Sequence, residues 1–189
     1  MRSILTALML AASTALHAAT AEFAGGCFWC MEADFEKKPG VSNVVSGFTG
    51  GTLENPTYSG NHRGHYEAIR ITYDPDQVSY KALLQHFWRN IDPFDNGGQF
   101  CDRGFSYRTA IFVRGEAQRE AAQVALQQVA SRFPEREIAT EILPASDFWP
   151  VEEYHQDYAE KNPIRYKLYR WNCGRDQRLE EIWGENAAY

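Results

Sequence analysis

The order of apolar patterns along the chain is the feature that most limits its fold. Alternating or small apolar residues predict five strands, at residues 21–26, 41–51, 66–74, 107–114 and 136–143. Helical spacing predicts helices at residues 27–38, 79–91 and 115–133, between those strands, and shorter helices at 150–162 and 174–184. The order predicts an α+β domain, a two-layer α/β sandwich with a mixed sheet. Its first six elements match a ferredoxin-like, split βαβ core.

The first 21 residues have the layout of a secretory signal peptide. Arg2 precedes a largely apolar run from Ile4 to Leu16, and small alanines follow it up to Ala21. The apolar run is too short to span a bilayer, so we expect no stable membrane insertion. We therefore expect residues 1–21 to be removed and the protein to be exported, to the periplasm in a bacterium. Residues 22–189 then form a single catalytic domain, with a C-terminal tail from about residue 163.

Charge and cysteine content narrow the function classes. The formal net charge is −6 and the chain has no basic run, which argues against a nucleic-acid surface. Its four cysteines are Cys27, Cys30, Cys101 and Cys173. In an exported protein an even count permits two structural disulfides, but a domain of this length does not need them. Composition alone leaves structural and catalytic sulfur open.

Cys27 stands where a strand pattern turns into a helix pattern, directly after Gly25 and Gly26. Glycines allow a sharp turn, and the free amides and dipole of a helix N-terminus favour an anion. Because the thiolate is the reactive form of cysteine, this placement predicts a nucleophile with a lowered pKa. The alternative is an inert thiol buried in an ordinary core.

Cys30 completes a Cys-x-x-Cys pair that has three readings. The first is a thioredoxin-like redox site. The second is half of a zinc site, completed by Cys101, Cys173 or His155, although the chain has no second closely spaced ligand pair. In the third, Cys30 is an accessory thiol or a core residue beside a nucleophile that does different chemistry.

"GCFWC" resembles the signature of the A-type peptide methionine-sulfoxide reductases. Further segments resemble that family's successive blocks in the family's order, namely "GFTGG", "NPTYSG", "GHYEAIRITYDP", "LLQHFWRNIDP", "CDRGFSYRTAIF" and "FWPVEEYHQDYAEKNP". The resemblance covers nearly the whole chain after the leader. It implies reduction of the S epimer of methionine sulfoxide, free or in proteins, without a metal or organic cofactor.

The resemblance also assigns roles to residues. Cys27 attacks the sulfoxide sulfur and becomes a sulfenic acid. Glu67, in "GHYEA", is the acid that protonates the sulfoxide oxygen, and a pocket of aromatic rings raises its pKa. Tyr58 and Tyr107 match tyrosines that donate hydrogen bonds to that oxygen. Without the resemblance, we would interpret Glu67 as a solvated carboxylate on a strand. We would likewise interpret Tyr58 or Tyr107, taken alone, as an ordinary packing residue.

Four further residues complete the expected site. Phe28 and Trp29 would form the apolar pocket for the substrate's methyl group, although either ring can equally be core. Asp102 matches an acid that orients the substrate, and His155 matches a supporting hydrogen bonder.

The recycling cysteine departs from the family pattern. Cys173 stands later after Asn162-Pro163 than expected, in a longer and less glycine-rich tail, and Cys30 replaces a frequent glycine. Either sulfur can trap the sulfenic acid as a disulfide. We favour Cys173 on a mobile tail over Cys30, which is held within the first helical turn. A thioredoxin-like dithiol protein would regenerate the enzyme.

Overall fold

The computed structural model describes residues 18–187. Residues 1–17 of the predicted leader, which spans residues 1–21, lie outside them. The strands are β1 (Ala19–Gly25), β2 (Val41–Thr49), β3 (Tyr66–Tyr73), β4 (Gly98–Gln99), β5 (Asp102–Arg103), β6 (Thr109–Val113), β7 (Glu141–Pro144) and β8 (Phe148–Pro150). The helices are α1 (Phe28–Glu36), α2 (Tyr80–Arg89), α3 (Glu116–Arg132), α4 (Tyr158–Lys161), α5 (Pro163–Asn172) and α6 (Arg175–Trp183).

Six strands form one mixed sheet in the order β7-β6-β1-β3-β2-β8. Strands β6 and β7 are parallel, whereas every other neighbouring pair in this sheet is antiparallel. Strands β1, β2, β3 and β6 with helices α1 and α2 have the ferredoxin-like order, because each βαβ crossover leaves room for one strand between its ends. The predicted α+β fold with a mixed sheet is confirmed.

The two faces of the sheet are covered unequally. Alternate residues of β3, such as Ile69 and Ile71, point to the main core, where they pack with helical residues including Met31 and Phe87. Tyr66 and Ala68 point the other way, into a small cluster with Phe112. Glu67 shares the core-facing side with Ile69 and is 1% exposed. The sheet therefore delivers a carboxyl group to the helix-covered face, at the start of β3.

Local signals set several boundaries. The Ser79 hydroxyl accepts a hydrogen bond from the Ala82 amide at 3.2 Å, so it caps α2. Of the strand predicted at residues 136–143, only residues 141–143 lie in a strand, as part of β7. The edge strand β8 was not predicted from the sequence. The helix predicted at 150–162 is a 3₁₀ turn at Glu153–His155 followed by α4, because Asp157 takes a left-handed backbone conformation with φ 52°.

The segment from about residue 163 is helical and packed where the sequence suggested a tail. Leu179 and Ile182 of α6 lie in the main core. Arg170 of α5 binds Asp34 of α1 at 2.7 Å. Arg175 is 1% exposed and donates to the Asn90 carbonyl at 2.7 Å. The half-buried Arg170 and the buried Arg175 thus fasten α5 and α6 to the domain. Within residues 18–187, no helix combines the length and the apolar character that a membrane crossing requires.

Candidate active site

The corner between β1 and α1 holds Cys27. Gly26 has φ +84°, and a side chain on Gly25 would collide with Met31, so this turn requires both glycines. Cys27 is the N-cap of α1, and its carbonyl accepts from the amides of Cys30 and Met31 at 3.1 and 3.3 Å. The sulfur therefore stands at the helix N-terminus, as the sequence predicted.

The protonation of Cys27 differs from the expectation. Burial raises the pKa of its thiol well above the usual value, and Cys30 and Glu67 act in the same direction. A hydrogen bond with Tyr169 acts the other way. The hydrogen bond with Cys27 lowers the pKa of the Cys30 thiol, whereas burial raises it. The hydrogen bond has the larger effect, so the pKa of Cys30 is lowered. The prediction of a lowered Cys27 pKa is wrong for the substrate-free protein, because the thiol is buried and two acidic groups face it.

Glu67 lies next to Cys27 at the same helix end. Its Oε2 accepts the Phe28 amide at 3.1 Å, and its Oε1 has no hydrogen-bond partner among residues 18–187. Burial raises the pKa of Glu67 to about 8, aided by Asp102 and Cys30, while the Phe28 amide and Tyr107 lower it. A carboxyl group with this pKa carries its proton at neutral pH, as a general acid must.

Aromatic rings form a wall beside Cys27. Phe28 is fully buried and lies 6.1 Å from the Tyr58 ring, between ring centroids. The Trp29 indole stacks on Tyr158 at 3.8 Å and donates to Nδ1 of His155 at 3.1 Å. Burial lowers the pKa of His155, which suits a neutral acceptor. Burial also raises the pKa of Tyr58 to about 12, so its hydroxyl remains a donor.

Asp102 and Tyr107 reach the site from the irregular loop after α2. Asp102 belongs to the small β4–β5 hairpin and accepts a hydrogen bond from the Tyr169 hydroxyl. Tyr107 ends a 3₁₀ turn at Phe105–Tyr107, and burial and the Glu67 charge raise its pKa. The structure thus brings all the predicted site residues except Cys173 into one group around Cys27.

The cysteines form two pairs of different kinds. Cys101 and Cys173 are joined in a disulfide, and Cys27 and Cys30 are free and buried. The alternative of two structural disulfides is therefore wrong. Among residues 18–187, the clusters of closely spaced metal-type ligands do not include Cys27 or Cys30, so the proposed half-site for zinc is not assembled.

One other acidic cluster lies on the opposite end of α1. Ligand atoms of Glu32, Glu36 and Asp157 approach within 4.8 Å of one another. Burial raises the pKa of Glu32 and of Glu36 to about 7 each, and the Asp157 charge adds to the shift. These carboxyl groups can share protons at neutral pH.

Sequence reasoning missed the aromatic residues of the last third of the chain. Tyr158 supports Trp29, and Tyr166 and Tyr169 of α5 pack in the cluster that holds Cys27 and Cys30. The spacing of Tyr166, Tyr169 and Cys173 places all three on one side of a helix, which was the available signal. The prediction of a mobile tail gives this spacing no role, whereas the structure shows a packed helix.

The geometry suits one kind of reaction. The Cys27 sulfur lies beside the protonated Glu67 carboxyl group, and phenol groups that can donate hydrogen bonds lie next to both. Apolar rings form the wall beside the sulfur. Such a site can attack a small apolar group that carries a polar oxygen and protonate that oxygen as its bond breaks.

Comparisons with known proteins point in the same direction. The family described as "Peptide methionine sulfoxide reductase" matches residues 19–187. "Peptide methionine sulfoxide reductase MsrA 2" of Caulobacter vibrioides is 54% identical over 168 residues, which cover 87% of this chain and 85% of the relative. "Peptide methionine sulfoxide reductase MsrA" of Bacillus licheniformis is 51% identical over 168 residues, covering 87% and 93%. The solved methionine sulfoxide reductase A of Corynebacterium diphtheriae superposes with a TM-score of 0.74 at 32% identity, covering 80% of this chain and 78% of that one.

Proposed function

Because the chain belongs to the peptide methionine sulfoxide reductase family and is a peptide-methionine (S)-S-oxide reductase, we propose a specific course for its reaction. Cys27 attacks the sulfoxide sulfur while Glu67 donates its proton to the sulfoxide oxygen. The oxygen passes to Cys27, which becomes a sulfenic acid, and methionine is released. Cys27 is oxidised by two electrons and the substrate is reduced by two. The thiol proton of Cys27 replaces the proton that Glu67 gave up.

The observation that carries this proposal is the pairing of a buried thiol with a carboxyl group whose pKa is about 8. Attack on a sulfoxide is slow unless its oxygen is protonated as the sulfur–oxygen bond breaks. A carboxylate with an ordinary pKa would be ionised at pH 7 and have no proton to give. Burial of Glu67 among aromatic rings supplies the acid form where the reaction needs it.

The aromatic wall supports recognition of the substrate. We propose that the methyl group of the S epimer sits against Phe28 and Trp29, with Tyr58 and Tyr107 donating to the oxygen. The wall contacts only the end of a methionine side chain, so free methionine sulfoxide and the same residue in a protein can both be substrates. Asp102 and His155 hold neighbouring groups in place, through Tyr169 and Trp29 respectively.

The sulfenic acid is then removed by a second thiol. The sulfur–oxygen bond breaks, a disulfide forms and water leaves, with the thiol proton completing the water. Cys30 is buried in the same cluster as Cys27, which supports it as the trapping thiol. The preference for Cys173 stays a prediction, and it now requires that the Cys101–Cys173 disulfide opens first. A thioredoxin-like dithiol protein regenerates the thiols by disulfide exchange.

The reaction is tested with racemic methionine sulfoxide and dithiothreitol as reductant, followed by chirally resolved chromatography. We expect loss of the S epimer and persistence of the R epimer. The rival function, thiol–disulfide exchange on protein substrates through Cys27 and Cys30, predicts no sulfoxide loss and no effect of Glu67→Gln. Retention of both epimers by the folded protein would contradict the proposal.

Peptide mapping after one equivalent of methionine sulfoxide, without reductant, identifies the trapping thiol. We expect a Cys27–Cys30 linkage in the wild type and in Cys173→Ser. A Cys27–Cys173 linkage in the wild type would restore Cys173 to that role.

We also propose that the chain is exported. The basic start, the apolar run to Leu16 and the following alanines support a cleaved leader. Strand β1 begins at Ala19, and Glu22 in that strand pairs with Arg70 and Arg114 at 2.7 and 2.6 Å. A cut that leaves Ala19 as the first residue keeps β1 whole. Mass spectrometry of protein from the native cell should find an N-terminus between Ala19 and Glu22, and intact Met1 in the cytoplasm would exclude export.

A further inference from the structure

Tyr169 occupies a central place in the site that neither the sequence blocks nor the reaction scheme explains. Its hydroxyl donates to the Asp102 carboxylate, and its ring meets the Trp29 ring edge-on at 5.9 Å between centroids. It packs in the cluster formed by Cys27, Cys30 and Tyr166. A phenol group is therefore held between the loop that carries Asp102 and the nucleophilic sulfur.

The Cys101–Cys173 disulfide joins the same two segments. Cys101 precedes Asp102 in the hairpin region, and the Cys173 amide donates to the Tyr169 carbonyl at 2.9 Å, one helical turn away. The disulfide and the Tyr169–Asp102 hydrogen bond thus form two adjacent links between the hairpin and the end of α5. Cys101 is exposed, whereas the linked tyrosine reaches inward to the buried thiols.

We propose that Tyr169 is a positioning residue of the sulfoxide reduction, which holds a hydroxyl donor against the Cys27 sulfur, and that the Cys101–Cys173 disulfide clamps it there. This inference rests on the proposed function, because it concerns how that function's nucleophile is made ready.

The proposal explains how a buried thiol becomes reactive. When Cys27 ionises, the Tyr169 hydroxyl can donate to the thiolate, and this hydrogen bond lowers the Cys27 pKa against burial, Cys30 and Glu67. The Tyr169 hydroxyl has one proton, so it leaves the Asp102 carboxylate when it donates to the thiolate. Among residues 18–187, the titratable or charged groups around this sulfur include Cys30, Tyr58, Glu67, Asp102, Tyr107 and Tyr169, and those around Cys30 include Asp34, Tyr166, Arg170 and Arg175.

Tyr169→Phe removes the hydroxyl and keeps the ring. In a single turnover without reductant, we expect methionine formation to slow by roughly tenfold or more, the usual effect of losing a hydrogen bond to a charged group. The KM for methionine sulfoxide should change much less than kcat. The pH midpoint of Cys27 alkylation, followed by mass spectrometry of its peptide, should move upward.

Tyr80→Phe is the matched control. The Tyr80 hydroxyl is buried in the main core and has no hydrogen-bond partner among residues 18–187. Its removal should leave the single-turnover rate and the Cys27 alkylation midpoint unchanged. If Tyr169→Phe behaves like Tyr80→Phe in both measurements, Tyr169 is a packing residue and the proposal is wrong.

Two serine variants distinguish a disulfide that positions Tyr169 from a Cys173 thiol that resolves the sulfenic acid. A clamp needs both sulfurs, so Cys101→Ser and Cys173→Ser should slow the first turnover equally, by several-fold. Mild reduction of the wild type, followed by removal of the reductant, should have the same effect. If Cys173 instead resolves the sulfenic acid, both variants keep a fast first turnover and only Cys173→Ser fails to recycle, which would overturn the clamp.

Failure of the proposed function gives a different pattern. In that case the wild type forms no methionine from the S epimer under any of these conditions. A normal wild-type turnover with unaffected variants rejects only the role of Tyr169 and its disulfide.

Discussion

The two cysteine pairs of this protein differ in burial and in oxidation state. Cys27 and Cys30 are three positions apart on one helical turn, are buried, and remain thiols. Cys101 and Cys173 are separated by 72 positions, lie at the surface end of α5, and are joined. The first pair adjoins Glu67 and the aromatic wall, whereas the second connects a hairpin to a helix.

This difference shows that neighbours decide what a cysteine does. Around Cys27, burial raises the thiol pKa and the same burial keeps the Glu67 carboxyl protonated, so nucleophile and acid are both in their neutral forms before substrate arrives. At the surface, Cys101 and Cys173 are joined in a disulfide, which restrains the chain.

Cys27→Ser should abolish sulfoxide reduction, which is the largest expected effect. A serine hydroxyl lacks both the accessible anion and the nucleophilicity of sulfur, so the rate should fall by at least about four orders of magnitude. The measurement is single-turnover methionine formation from the S epimer. Substantial turnover in this variant would show that the chemistry does not belong to the buried pair.

Loss of the surface disulfide should affect stability most. For a closed loop of this length, chain entropy gives at most about 4 kcal/mol of unfolding free energy, and native strain lowers that figure. We expect Cys101→Ser and Cys173→Ser to lower the urea midpoint by similar amounts and to raise the denaturant slope, because the unfolded chain without the link is less compact. A Cys30→Ser midpoint that falls as far as theirs would erase the distinction between the pairs.

Glu67→Gln should slow the first turnover by roughly a hundredfold, the range for a lost general acid, or about 2.7 kcal/mol. Wild-type activity should fall as the pH rises through about 8, because Glu67 then loses its proton. The glutamine variant should lack this descending limb. A first turnover of wild-type speed across pH in the variant would make Glu67 a bystander.

Stability provides the control for that variant. The Glu67 pKa is raised on folding, so the stability it contributes is complete below pH 4.5 and is lost as the pH rises through about 8. Glutamine does not ionise, so Glu67→Gln should be at least as stable as the wild type above pH 8. A loss of activity in a stable variant then reports chemistry and not unfolding.

His155→Phe should have the smallest effect, about 1 kcal/mol or fivefold in KM for methionine sulfoxide. The change removes the acceptor for the Trp29 indole N–H and loosens one side of the aromatic wall. His155→Asn, which can present a side-chain oxygen, should recover part of the affinity. Equal KM values for all three proteins would show that His155 only fills space.

Much of the fold and the centre of the site could be predicted from the chain. The period-two pattern of β3 and the capped pattern of α2 depend on neighbouring residues, and both elements lie where predicted. The glycine corner placed Cys27 correctly, because its turn is a local requirement of the backbone. The end of the chain was less readable. The left-handed conformation of Asp157 interrupts the helix that the local pattern favours at residues 150–162. Helix α5 is stabilised by contacts of its tyrosines and of Arg170 with α1.

By itself, the sequence determined the glycine corner at Cys27 and how the main strands and helices alternate, because spacing and turn chemistry act over a few residues. Only the tertiary structure decided the protonation and the pairing of the cysteines. Burial raises the pKa of the Cys27 thiol, with Cys30 and Glu67 acting in the same direction, whereas its helix position alone predicted the opposite. Cys173 joins Cys101, a residue 72 positions away, because α5 crosses the hairpin there. Solvent exclusion and long-range contacts set both outcomes, and neither has a local signature in the chain.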